Sequence, residues 1–280
     1  MTAQDAIITN ENPEIFFFET EIIPVKGVIL LAHGLNTKPL KMGDNNTEGT
    51  LAKLFLDQGY HVYRVTLPGH NDSIEEMQTI KTEQWLNSAL TQYFEASEIA
   101  DNLNLPIYLA AFSLGALVYK NLLNSEENVN FSGSILFAPA LALKGKTRFS
   151  IRLGSIFLND KRIISSKAPV EYRAQKGVSI SAYKALFKLT DNLYENEFKN
   201  CNIPTLIFID PKDELISISK LRAVITRFNL TNWNIKEITN KGDLVTPKYY
   251  HLIIDAENVS FLEWDSIRNE IVRFLEPNIL

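Results

Sequence analysis

Three places in the chain carry residue types able to do nucleophilic chemistry. The first is Ala111-Phe112-Ser113-Leu114-Gly115, where an apolar run ends and a helix-like pattern begins, with a serine at the junction. A serine held on such a bend exposes its hydroxyl, and the next N–H is free at the helix start. The bend is tight, so the residues two before and two after it must be small. Of the 17 serines, only Ser113 has Gly or Ala at both positions. The second place is TLIFIDPKDELIS, a strand-like run that releases Asp210 and Asp213 into a turn. The third is His251, the only histidine downstream of Ser113.

A serine becomes an effective nucleophile when an imidazole takes its proton and a carboxylate orients that imidazole. Ser113, His251 and Asp213 form such a set, with Asp210 as the competing acid. Each has a plainer reading as well: a helix N-cap for Ser113, a turn former for Asp210, a surface or core ring for His251. Attack on a carbonyl also needs donors for the oxyanion. The run LLAHGLN ends on His33-Gly34, and a sharp turn at Gly34 would aim the Leu35 N–H inward beside that of Leu114. His33 then reads as a loop-structuring residue. His70, in the turn LPGH, reads as structural on the same rim.

These residues must be carried by elements that bring distant parts of the chain together. Apolar runs at 15–23, 27–33, 61–67, 106–112, 132–141, 204–210 and 233–239 read as strands, and HLIID at 251–255 as short and extended. Amphipathic spacing predicts helices over 50–58, 82–103, 114–123, 218–228 and 262–276. Strands that are apolar throughout and alternate with helices imply an open, wound, mostly parallel sheet covered on both faces. The candidate chemistry then sits at strand ends.

Composition removes several alternatives. The chain has 280 residues, 45% hydrophobic and 22% charged, enough for a sizeable core. One cysteine, Cys201, and four histidines leave no disulfide framework and no zinc or iron–sulfur motif. No dinucleotide fingerprint or phosphate loop appears, so no cofactor or metal is implied. A net charge of −5 gives no overall footprint for nucleic acid. With no signal-like or membrane-length apolar run, the expectation is a soluble, cytoplasmic protein.

Residues 143–198 interrupt the alternation. They look helical, show no obvious strand, and are basic: from Leu143 to Thr190 eleven Lys or Arg face only Asp160 and Glu171. That local balance of +9 leaves −14 for the remainder. Phe149, Leu153, Ile156 and Phe157 fall on one helical face, edged by Arg148 and Arg152. The segment reads as a lid inserted into a core formed by 1–142 and 199–280. A basic, apolar lid suits an acyl chain with an anionic head, or an anionic lipid or membrane surface. The plainer reading is a face packed on the core with solvated charges.

HGL at 33–35, LPGH at 67–70, AFSLG at 111–115, KDELIS at 212–217 and HLIID at 251–255 occur in an order that resembles the α/β-hydrolase family. The similarity is to its carboxylesterase, lysophospholipase-like and monoacylglycerol-lipase-like branch. It spans nearly the whole chain and implies an α/β-hydrolase fold with a helical cap at 143–198. It implies Ser113 as nucleophile, Asp213 as acid, His251 as base, and Leu35 and Leu114 as oxyanion donors. The implied activity is hydrolysis of a carboxylic ester, a small molecule of lipid-like or other acyl type, through an acyl-enzyme. The alternatives are a thioesterase, an aminopeptidase of the same fold, and a hydrolase-fold binding protein without turnover. Two positions depart from the family pattern: Ala111 where Gly is usual, and LPGHND where many members read PGHG.

Overall fold

The computed structural model describes residues 16–70, 73–145, 159–239 and 249–276. A seven-stranded sheet organises them. Its strands are β1 (Phe16–Phe18), β2 (Gly27–Ala32), β3 (Tyr60–Arg64), β4 (Ile107–Phe112), β5 (Ser134–Phe137), β8 (Thr205–Ile209) and β9 (Trp233–Glu237), in the order β1-β3-β2-β4-β5-β8-β9. Only β1 runs antiparallel. The expected wound, parallel α/β sheet is therefore the one that forms.

Both faces are covered, and side-chain alternation along each strand divides the core in two. Val28, Leu30, Leu109, Ala111, Ile207 and Ile209 join one cluster, with α3 (Thr82–Asn102), α4 (Leu114–Ser125), α5 (Ile180–Glu195) and α6 (Ile218–Arg227). Ile29, Leu31, Ala110, Phe112, Leu206 and Phe208 join the other, with α1 (Leu51–Asp57), α7 (Ala256–Val259) and α8 (Phe261–Leu275). Burial on both faces is why these strands read as unbroken apolar runs. A short helix, α2 (Ile74–Thr79), precedes α3, and the Ser73 hydroxyl caps it by accepting from the Glu76 N–H.

Three segments differ from their sequence reading. The run at 15–23 pairs only through Phe18. Beyond it the Thr20 N–H donates to His61 Nδ1, while Ile22 and Ile23 are exposed. The run at 251–255 forms no sheet strand: Leu252, Ile253 and Ile254 are buried without joining the sheet, while Asp255 is extended, makes a single bridge to Thr50 and caps α7. The basic segment contains a two-stranded antiparallel hairpin, β6 (Ile163–Ser165) with β7 (Gly177–Ser179). Strands of three residues carry too little alternation to be seen. After β7, α5 packs on α2, α3 and α4 through Ala182, Leu186, Leu189 and Leu193. The apolar face assigned to Phe149, Leu153, Ile156 and Phe157 lies outside the described residues, with Arg148 and Arg152.

Candidate active site

The serine sits where β4 meets α4, in a backbone conformation that sequence alone could only suggest. Ser113 has φ 49° and ψ −107°. That left-handed region is uncommon for a residue with a Cβ and costs free energy, so the surroundings must hold it. The Ser113 N–H donates to the Phe137 carbonyl (3.0 Å), and its carbonyl accepts from Ala140 N–H (3.0 Å). Its side chain makes no capping bond to α4. The N-cap reading thus fails for the hydroxyl, although the residue does occupy the cap position.

Packing explains the small neighbours. A Cβ built on Gly115 would lie 2.8 Å from both the Ala32 Cβ and the His33 oxygen, closer than real contacts allow. The approach is fixed by the Gly115 N–H, which donates to the His33 carbonyl at 3.0 Å. A Cβ on Gly34 would fall 2.6 Å from the Phe112 ring and 3.1 Å from the Ser113 Cβ. Two glycines therefore let the end of β2 press against the serine turn. Ala111 is itself buried in the core, so a methyl is accommodated there.

His251 and Asp213 reach Ser113 from distant parts of the chain. His251 Nε2 lies 2.9 Å from Ser113 Oγ, and His251 Nδ1 lies 2.8 Å from Asp213 Oδ2. Asp213 is fully buried, and its Oδ1 accepts the N–H groups of Leu215 (2.7 Å) and Ile216 (2.8 Å). Its carboxylate is thus fixed on one side by backbone and offers the other to the imidazole, whose Nδ1 donates. Asp210 is buried too, but its Oδ1 accepts the Lys212 N–H at 2.7 Å and its carbonyl accepts the Asp213 N–H. Asp210 shapes the turn; Asp213 contacts the histidine. The Lys144 ammonium donates to the Asp213 carbonyl and ties the same turn to the start of the basic segment.

Leu114 is the first residue of α4, where N–H groups lack an intrahelical acceptor. Leu35 follows the glycine that touches Ser113, and its N–H has no acceptor among the described residues. The loop carrying Leu35 is held by two histidines used as acceptors. His70 Nε2 accepts the Asn36 N–H at 3.0 Å, and its Nδ1 faces the carbonyls of Leu67 and Pro68. His33 Nε2 accepts the Leu67 N–H at 3.0 Å, and its Nδ1 faces the Gly34 carbonyl at 2.9 Å. Burial pushes His70 down to about 4, and burial together with the neighbouring His70 holds His33 well below its ordinary value. Both rings are therefore neutral at physiological pH, as acceptors must be.

Two contributors to this geometry were not singled out from the sequence. The Asn36 side chain bonds both backbone groups of Gln175, accepting from its N–H (2.7 Å) and donating to its carbonyl (3.0 Å). With the Thr37–Arg173 bridge, this joins the Leu35 loop to the segment after β6. The Glu214 carboxylate accepts the N–H groups of Tyr250 and His251, each at 2.9 Å. Asn36 could have been singled out as a residue tolerant of positive φ, which it adopts at 58°. Glu214 gave no signal beyond adjacency to Asp213.

A wound parallel sheet, with a serine on a strained strand–helix turn and its partners on later strand-end loops, defines an α/β-hydrolase. Residues 23–242 match the family model described as serine aminopeptidase, S33, and the chain belongs to that hydrolase family. A curated relative, phospholipase YtpA of Bacillus subtilis (strain 168), is 28% identical over 109 residues, 39% of this chain and 41% of the relative's length. Among solved structures, a soluble variant of the Saccharomyces cerevisiae monoglyceride lipase matches with a TM-score of 0.74 at 13% identity, covering 94% of this chain and 91% of that one. The Paleococcus ferrophilus monoacylglycerol lipase matches with a TM-score of 0.64 at 19% identity, covering 93% and 97%. At these identities the likeness is one of fold.

Proposed function

We propose that the protein is a serine hydrolase of carboxylic esters with a lipid-like acyl group, working through an acyl-enzyme. The observation that carries this reading is the continuous hydrogen-bond chain from Asp213 through His251 to the strained Ser113. Ser113 Oγ attacks the ester carbonyl while His251 Nε2 takes its proton, and Asp213 stabilises the imidazolium. The carbonyl oxygen becomes an oxyanion, received by the N–H groups of Leu35 and Leu114. Collapse of the tetrahedral intermediate breaks the ester C–O bond, and the leaving alkoxide takes the proton from His251. Water, deprotonated by His251, then attacks the acyl-enzyme and releases the carboxylic acid and free Ser113.

Lipid-like substrates are favoured by the phospholipase relative and by fold neighbours that include monoacylglycerol lipases. The basic segment 143–198, read as a cap, would select the acyl group and favour anionic headgroups or an anionic lipid surface. Part of its charge is spent at the exterior, since Lys184 pairs with Asp160 and Lys188 with Glu83, each at 2.6 Å. Exposed pairs of this kind contribute little to stability.

One experiment tests the reading. A fluorophosphonate probe is expected to label the wild type and not Ser113→Ala. The wild type should turn over p-nitrophenyl esters faster than acyl-CoA thioesters or aminoacyl p-nitroanilides. Absent labelling would favour a binding protein. Preferential cleavage of the anilides would replace the esterase reading with a peptidase one, as the family description admits.

A further inference from the structure

His251 stands outside any helix or strand, in a turn where the Leu252 N–H donates back to the Tyr249 carbonyl at 3.1 Å. No sheet ladder therefore sets where its backbone lies. What reaches that backbone is the residue beside the orienting acid. Glu214 Oε1 accepts the N–H of Tyr250 and Oε2 that of His251, both at 2.9 Å, so one carboxylate spans two consecutive peptide groups. Charge-assisted bonds of this sort are stronger than neutral ones, and the two-point geometry fixes direction as well as distance.

We infer that Glu214 is a positioning residue for the base: Asp213 sets the orientation of the imidazole while Glu214 sets the place of the main chain that carries it. This inference rests on the proposed roles of Ser113, Asp213 and His251. The two grips come from adjacent residues on one hydrogen-bonded turn. Asp213 Oδ1 takes the N–H groups of Leu215 and Ile216, and the Asp213 N–H donates to the Asp210 carbonyl at 2.9 Å, so Glu214 is anchored on both sides. The Lys212 ammonium sits 5.6 Å from the centre of the Tyr250 ring, a further contact between the same two segments. Any drift of the 250–251 backbone would lengthen the 2.9 Å approach of Nε2 to Ser113 Oγ. Displacement of a reacting group by about 1 Å costs on the order of 100-fold in rate.

The test compares Glu214→Gln and Glu214→Ala with the wild type on a p-nitrophenyl ester and in the rate of fluorophosphonate labelling. Glutamine keeps one acceptor but turns an N–H donor toward a second donor; alanine loses both bonds. Each variant is expected to lose about 10- to 100-fold in kcat and in labelling rate, with KM changed by less than about threefold. In a His251→Ala background, Glu214→Gln should cause no further loss in the residual rate. A purely stabilising role would instead lower the melting temperature while leaving kcat per folded molecule within about twofold of wild type, and that result overturns the inference. If alanine prevents folding, the glutamine variant carries the test. Wild-type turnover by Ser113→Ala would overturn the proposed function itself; loss in Ser113→Ala with normal kcat in Glu214→Gln would overturn only the role of Glu214.

Discussion

Replacing Asp213 by asparagine changes one oxygen to an NH2 group at a fully buried site, and the structure dictates which oxygen must go. Asp213 Oδ1 accepts two backbone N–H groups, from Leu215 and Ile216. An asparagine that turned its NH2 toward them would break both bonds and bury two donors against a third. The amide oxygen therefore stays with the backbone, and the NH2 faces His251 Nδ1, where the carboxylate oxygen stood 2.8 Å away. The imidazole must then offer a lone pair at Nδ1 and carry its proton on Nε2, the nitrogen facing Ser113 Oγ. That tautomer donates to the serine and cannot take its proton. The loss of the correct tautomer in such triads lowers kcat by about 10,000-fold, equivalent to about 5.5 kcal/mol of barrier. The assay is kcat on a p-nitrophenyl ester, with circular dichroism to establish that the near-isosteric variant is folded. Asp210→Asn, which touches a turn N–H rather than the imidazole, should cost less than about tenfold. A reversed ranking, or an Asp213→Asn enzyme within tenfold of wild type, would refute the assignment of the acid.

Two further outcomes follow from packing and protonation. Gly115→Ala puts a methyl 2.8 Å from both the Ala32 Cβ and the His33 oxygen, so the start of α4 must move. It should destabilise the protein by about 1–3 kcal/mol in urea titration and lower kcat by about 100-fold. His70, pushed down to about 4, stays neutral in the fold while an unfolded histidine takes up a proton below about 6.5. Its contribution, about 3 kcal/mol, is therefore complete above pH 6.5 and is lost progressively as pH falls toward 4. Urea midpoints at pH 7.5 and 5 should differ less for His70→Gln than for the wild type; an unchanged difference would count against this role.

The sheet was legible because its strands are buried on both faces and interrupted by amphipathic helices, a contrast that survives in one dimension. The candidates for the proposed triad, Ser113, Asp213 and His251, could be singled out for a related reason: each lies just past a strand end or on a chain segment with no rival of its type. What stayed hidden depends on long-range partners. Lys120, within the predicted helix at 114–123, is fully buried, although lysine is among the residue types least often so. It donates to the hydroxyls of Ser134 (2.9 Å) and Thr205 (3.3 Å), and burial pushes its ammonium down to about 8. Helix α4 is buried nearly all round, so amphipathic spacing gives no warning. The β6–β7 hairpin was missed because each strand has three residues.

The histidines show why residue type alone could not assign roles. His33 and His70 are as buried as His251, and all three stand at the edge where the serine lies. What separates them is the partner at each ring nitrogen. In His33 and His70, one nitrogen receives a backbone N–H and the other faces a backbone carbonyl, groups that neither give up nor accept a proton at working pH. Such rings are fixed dipoles, and the burial that lowers their basicity keeps them so. In His251, one nitrogen faces a carboxylate and the other a hydroxyl. In the proposed mechanism the carboxylate compensates the charge that arises when the hydroxyl proton arrives, which suits this ring and not the others to cycle. A carboxylate placed beside His70 would therefore make that ring easier to charge and weaken its hold on the Asn36 N–H, loosening the loop that carries Leu35 without creating a second base.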